Sequence, residues 1–89
     1  MTVIFSLPLI PKNQYEAFRA AIGPDLANTY DEWFKLFGKE RDEKLRRGET
    51  IIEVKVDFDQ FMRFCRARGA TPNLKILLDF AIEESGRKN

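Results

Sequence analysis

The alternation of hydrophobic and polar positions predicts two strands, one in each half of the chain. Residues 2–10, "TVIFSLPLI", form a short run that favours a strand, and Pro8 and Pro11 restrict it to a sheet edge or to a strand that ends early. Residues 50–56, "TIIEVKV", alternate with the two-residue period of a strand with one buried face. The face predicted to be buried carries Ile52, Val54 and Val56, and the opposite face carries Ile51, Glu53 and Lys55.

Apolar positions at helical spacing predict two helices between these strands. The first begins at a capping box of Asn13 and Glu16 and ends at Gly23. Its buried stripe is Tyr15, Phe18 and Ile22. The second helix is capped by Asp25. Its apolar stripe is Leu26, Tyr30, Trp33, Phe34 and Phe37.

The polar stretch "GKERDEKLRRG", residues 38–48, allows two interpretations. The second helix either continues past Gly38 or ends there and is followed by a short polar helix. Charge pairs four residues apart support helical structure on either interpretation, and Gly48 ends it. The pairs are Glu40 with Lys44 and Glu43 with Arg47.

Two further helices are predicted after the second strand. Asp57 and Gln60 form a capping box directly at the end of the strand, and Gly69 ends the third helix. Its stripe is Phe58, Phe61, Met62 and Cys65. Thr71 and Pro72 have the form of a cap followed by a first-turn proline, which opens the fourth helix. Its inward positions are Leu74, Leu77, Leu78, Ala81 and Ile82.

The predicted fold class is α+β, with the order strand, helix, helix, strand, helix, helix. We expect a small two-stranded antiparallel sheet packed on four helices, in a single domain of residues 1–89 with a frayed tail at 86–89. An offset of 46 residues aligns several matching positions of the segments 1–48 and 49–85. This match has two explanations, an internal repeat or the general similarity of amphipathic helices separated by a glycine.

The composition limits the classes of partner. Fifteen Lys and Arg against fourteen Asp and Glu give a net charge of +1, so no overall charge attracts nucleic acid. Nucleic acid is therefore disfavoured as a partner, and no apolar run approaches the ~20 residues that cross a membrane. Cys65 is the single cysteine, which excludes an intrachain disulfide, and together with the lack of a signal-like N-terminus it indicates a cytoplasmic protein.

The residues that most enzyme chemistries need are missing from the sequence. There is no histidine, which excludes Ser-His and Cys-His nucleophile pairs and histidine metal sites. Asp57 and Asp59 are close enough in sequence for acid–base work, but capping explains Asp57, and Asp59 can pair with Arg63. Cys65 lies in a helical apolar stripe, where a free cysteine acts as a small buried hydrophobe. We expect no enzyme, no cofactor and no metal site.

Residues 50–85 resemble the ribbon-helix-helix family of bacterial repressors and antitoxins in the order of a strand, a helix, a glycine turn and a capped helix. The resemblance implies that two strands pair as an antiparallel ribbon, whose polar face reads the major groove of DNA. It also implies that the start of the second helix holds a phosphate. By position, Glu53 and Lys55 would be the ribbon readers, and Thr71 and Asn73 would lie at the phosphate.

A local basic patch is the remaining candidate site. It consists of Arg63, Arg66 and Arg68, for which a solvated helix surface and phosphate binding are both open interpretations. Because catalytic residues are missing and aromatic residues make up 12% of the chain, the sequence favours a small non-catalytic domain for protein–protein interaction. It would act by self-association or as a regulator or inhibitor of a larger protein partner. The alternative is a ribbon-helix-helix-like DNA-binding regulator or antitoxin.

Overall fold

A computed structural model describes residues 4–87. Within this range the chain forms two strands, a short 3-10 helix and four α-helices. In chain order these are β1 (Ile4–Leu9), the 3-10 helix (Lys12–Gln14), α1 (Tyr15–Ile22), α2 (Tyr30–Arg46), β2 (Thr50–Lys55), α3 (Phe58–Ala67) and α4 (Leu74–Arg87). None of the helices in this range has the length and apolar character needed to span a bilayer.

The two strands pair in parallel, in a register that runs from Ile4 opposite Thr50 to Leu9 opposite Lys55. The antiparallel sheet expected from the sequence is therefore wrong. The segment between the strands, residues 10–49, is long enough to form a crossover, and α1 and α2 return the chain to the end of the sheet where β1 began. The element order also differs from the prediction, because the 3-10 helix precedes α1.

Helices cover both faces of this sheet. The Ser6 hydroxyl of β1 donates a hydrogen bond of 3.0 Å to the Ser85 hydroxyl of α4, which packs on both strands. On the opposite face, Arg41 of α2 forms an ion pair of 3.4 Å with Glu53 of β2. Because successive side chains of a strand point to opposite faces, these contacts place α4 and α2 on the two sides of the sheet.

An aromatic core forms where α1, α3 and α4 meet beyond the ends of the strands. The Phe18 ring is fully buried, with its centroid 5.3 Å from that of Phe58 and 5.5 Å from that of Phe61. The buried cluster is Ile10, Tyr15, Phe18, Ile22, Leu26, Val56, Phe61, Cys65, Leu77 and Phe80. The apolar stripe predicted for α1 and the Phe61–Cys65 part of the α3 stripe are confirmed.

The beginning of α1 differs from the predicted capping box. Asn13 lies within the 3-10 helix, and the N-cap residue Gln14 makes no side-chain hydrogen bond to its own helix. Its amide instead reaches the beginning of α3, where Oε1 accepts from the Phe58 N–H at 2.8 Å and Nε2 donates to Asp57 at 3.2 Å. Gln14 therefore joins the starts of two helices.

Helix α2 begins later than expected. Its cap is Thr29, whose hydroxyl accepts the Glu32 N–H at 3.2 Å, whereas Asp25 lies in the preceding turn. The prediction of an Asp25 cap is therefore wrong, and Leu26 reaches the core from this turn rather than from a helix. Either residue has a suitable oxygen, but Thr29 stands directly before the first helical residue, and its backbone is extended as an N-cap requires.

The polar half of α2 continues without a break. The helix passes Gly38 and ends at Arg46, which answers the question left open by the sequence. The predicted ion pair of Lys44 with Glu40 is confirmed at 3.3 Å. Arg47 lies instead 3.9 Å from Glu49, after the helix has ended.

Of the caps predicted for the last two helices, one is confirmed and one is wrong. Asp57 caps α3, because its carboxylate accepts the Gln60 N–H at 3.1 Å, as expected. Helix α4 is capped by Asn73, which accepts the Ile76 N–H at 2.9 Å, so the predicted cap at Thr71 is wrong by two residues.

The inward face of α4 is rotated relative to the prediction. Leu77 and Ala81 are buried as expected, but Leu78 and Ile82 remain 39% and 59% exposed, and Phe80 is buried in their place. The helix continues to residue 87, so it includes Gly86 of the predicted tail. The end of that tail and the first residues of the predicted first strand lie outside the described residues.

The alternation predicted for β2 is confirmed at two of its three inward positions. Val54 and Val56 are buried, whereas Ile52 is exposed. Helix α4 packs mainly over β1, so the face of β2 that carries Ile52 is only partly covered.

Candidate functional site

An apolar cavity lies beside the edge of β1 that faces away from β2. We call this feature the edge groove. It has a volume of about 230 Å³ and lies between β1, α2, α4 and the turn before α2. Its apolar lining includes Leu7, Pro8, Trp33, Leu36, Phe37 and Leu78.

Within residues 4–87 no strand pairs with this edge of β1, and the backbone groups of alternate residues point to it. The Val56 N–H donates to the Leu9 carbonyl at 3.1 Å, which places the backbone polar groups of Leu9 on the side of β2. Because these groups alternate along a strand, those of Ile4, Ser6 and Pro8 point to the other edge. Proline has no N–H to leave unpaired there, so Pro8 is in a position that suits its chemistry.

The rim of the edge groove is acidic. Asp25 and Glu40 are the lining residues with charged side chains, and both are carboxylates. Glu40 also pairs with Lys44 at 3.3 Å, which offsets part of its charge. A bound segment would therefore meet an apolar floor and a weakly acidic border.

Two exposed leucines line the edge groove. Leu36 of α2 is 59% exposed, and Leu78 of α4 is 39% exposed. Apolar side chains grouped around a concave surface are typical of a binding site for another protein.

The four residues implied by the ribbon-helix-helix resemblance lie in two separate places. Glu53 and Lys55 are on the β2 face toward α2, where Glu53 pairs with Arg41. Thr71 and Asn73 lie in the connection between α3 and α4, and the Asn73 amide donates to the Thr71 carbonyl at 3.1 Å. In the described part of the chain, no hydrogen bond or ion pair joins the two places.

The structure brings together only part of the predicted basic patch. Arg63 and Arg68 line a cavity of about 400 Å³ between α3 and α4, whereas Arg66 does not line it. Arg68 forms an ion pair of 2.8 Å with Glu83 and lies 4.3 Å from the centre of the Phe64 ring. Since Glu83 and Glu84 also line this cavity, its charge is mixed and gives no clear preference for an anion.

Asp57 and Cys65 have structural roles. The Gln60 N–H, followed by the Gln14 amide, lowers the pKa of Asp57, which keeps this cap ionised. Cys65 is a buried free thiol, and burial raises its pKa, which disfavours the reactive thiolate. Across the residues that the structure describes, no group of three or more His, Cys, Asp or Glu side chains is arranged to hold a metal ion.

Known proteins offer no guide to this site. Comparisons of the chain with protein-family models, curated proteins and solved structures found no match. The sequence pattern did not predict the edge groove, because its walls come from segments far apart in the chain. The signals that pointed toward it were Pro8, which indicates a strand edge, and Leu36, which lies outside the predicted stripe of α2.

Proposed function

We propose that this chain is a small non-catalytic domain that binds a segment of a larger protein partner in the edge groove. The observation that carries the proposal is the unpaired edge of β1 beside an apolar cavity with exposed leucines on both walls. A regulator or inhibitor that acts by binding and covering a segment of its partner fits this arrangement.

The groove favours an extended segment. No strand among residues 4–87 occupies this edge, so an added strand would pair with backbone groups of Ile4 and Ser6, while an apolar side chain of that segment fills the cavity. Complete burial of one such side chain contributes about 1.5 to 3 kcal/mol. A lysine or arginine next to it would lie near Asp25 and Glu40, so we expect a partner segment that is both apolar and basic.

Affinity capture from native lysate with a pair of α2 variants tests this proposal. Leu36→Asp places a third carboxylate at the groove, and we expect it to abolish capture of the partner. Phe34→Asp introduces a carboxylate at another exposed position of α2 that does not line the groove, so it should leave capture intact. Equal capture by both variants would contradict the proposal, once circular dichroism has shown that both are folded.

The ribbon-helix-helix-like regulator stays a prediction, and the geometry gives it little support. Its reading face would carry Glu53 and Lys55, and α2 packs on that side of the sheet. Nuclease treatment of the lysate separates the two functions. Under the proposal made here capture survives the nuclease, and under the DNA-binding alternative it is lost.

A further inference from the structure

We propose that a second copy of this chain pairs with the free edge of β2 in an antiparallel orientation. The two copies would form a four-stranded sheet with the order β1, β2, β2 and β1. This contact goes beyond the proposed function, because it uses the edge of the sheet opposite to the edge groove.

The backbone of β2 is available for this pairing. The Val56 N–H donates a hydrogen bond to the Leu9 carbonyl, so the backbone N–H and C=O groups of the even-numbered residues of β2 point toward β1. The N–H and C=O groups of Ile51, Glu53 and Lys55 therefore point to the other edge. Within residues 4–87 no strand covers that edge, and an open edge of this kind is a template for another strand.

The charges on β2 select one register for the pairing. In a symmetric antiparallel pair, placing Val54 opposite the second copy's Val54 puts Glu53 opposite the second copy's Lys55, and Lys55 opposite its Glu53. The contact then contains two opposite-charge pairs. Moving the register by two residues in one direction places glutamate opposite glutamate, and in the other direction lysine opposite lysine, so neither competes.

Apolar side chains flank this edge on both faces of the sheet. Ile52, on the face toward α4, is 40% exposed, and in the selected register it lies opposite the second copy's Val56. On the other face, Leu45 follows Arg41 by one helical turn of α2 and is 52% exposed. Because Arg41 contacts Glu53, this side of α2 lies beside the same edge. A second copy would cover both side chains.

Sedimentation velocity with charge-exchanged variants tests the contact. We expect the natural chain to be a dimer at micromolar concentration. Glu53→Lys alone and Lys55→Glu alone each create two like-charge pairs, and each should raise the dimer dissociation constant about tenfold or more. An equimolar mixture of these two variants places lysine opposite glutamate at both pairs again, and it should restore the dimer as a heterodimer.

The mixture separates a specific contact from general damage to the fold, because each variant in it is unchanged. The double variant Glu53→Lys with Lys55→Glu should also dimerise, and Leu36→Asp should leave dimerisation unaffected since it alters the edge groove. A chain that stays monomeric up to about 100 μM would overturn the proposal. A mixture that dissociates as readily as its separate components would overturn it too.

Discussion

Replacing Phe18 by alanine should remove a large share of the stability of this domain. The Phe18 side chain is fully buried and contacts the rings of Phe58 and Phe61. Truncation of a buried phenylalanine costs about 3 to 5 kcal/mol, since it combines lost transfer energy with a cavity. Because Phe18 is tightly packed, we expect its truncation to cost about 4 kcal/mol. A chain of 89 residues has a total free energy of unfolding of about 4 to 13 kcal/mol, so the variant should be marginal.

Urea unfolding, followed by the fluorescence of the single tryptophan, Trp33, measures this loss. With a slope of about 1.5 kcal/mol per molar urea, the transition midpoint should fall by roughly 2.5 M. Phe34→Ala is the matched control, because Phe34 is 42% exposed, and its truncation should cost less than about 1 kcal/mol. If the two variants lose equal stability, or if Phe18→Ala costs less than the control, the core is not organised around Phe18.

Three further outcomes follow from the structure. Buried Cys65 should react with a thiol reagent only as fast as the chain unfolds, and rapid stoichiometric labelling in native buffer would refute its burial. The pKa of Asp57 in the folded chain lies below its ordinary value of 3.8, so the stabilisation from its carboxylate is complete above pH 3.8 and is lost as the pH falls through the folded pKa. The urea midpoint should therefore drop more between pH 7 and pH 3 for the natural chain than for Asp57→Asn. Thr29→Ala should cost about 1 kcal/mol and Asp25→Ala almost nothing, and the reverse order of their melting temperatures would restore the earlier helix start.

Local signals in the sequence were sufficient where one residue decides the structure. Asp57 was predicted correctly as a cap, because it stands between a strand and an apolar helical stripe and has Gln60 three residues later. The start of α2 was harder to predict, since Asp25 and Thr29 both carry a capping oxygen. The choice depended on the path of the turn, which is fixed by burial of Leu26 in the core.

Features that depend on contacts between distant segments could not be predicted from the local sequence pattern. The direction of β2 relative to β1 is set by the way α1 and α2 cross the sheet, and neither strand encodes it alone. The exposure of Ile52 and Leu78 has the same origin, because the position of α4 over β1 determines which apolar side chains are covered. An internal repeat of residues 1–48 and 49–85 stays one of the two explanations for their matching positions.

The parallel pairing of β1 and β2 has a consequence for synthesis of the chain in a cell. Ile4 pairs with Thr50, which follows it by 46 residues, so every hydrogen bond of the sheet joins distant parts of the chain. At translation rates of about 5 to 20 residues per second, β1 leaves the ribosome about 2 to 9 seconds before its partner strand. During that interval both edges of this apolar strand are unpaired. The yield of native protein therefore depends on protection of the nascent chain as well as on the stability of the folded domain.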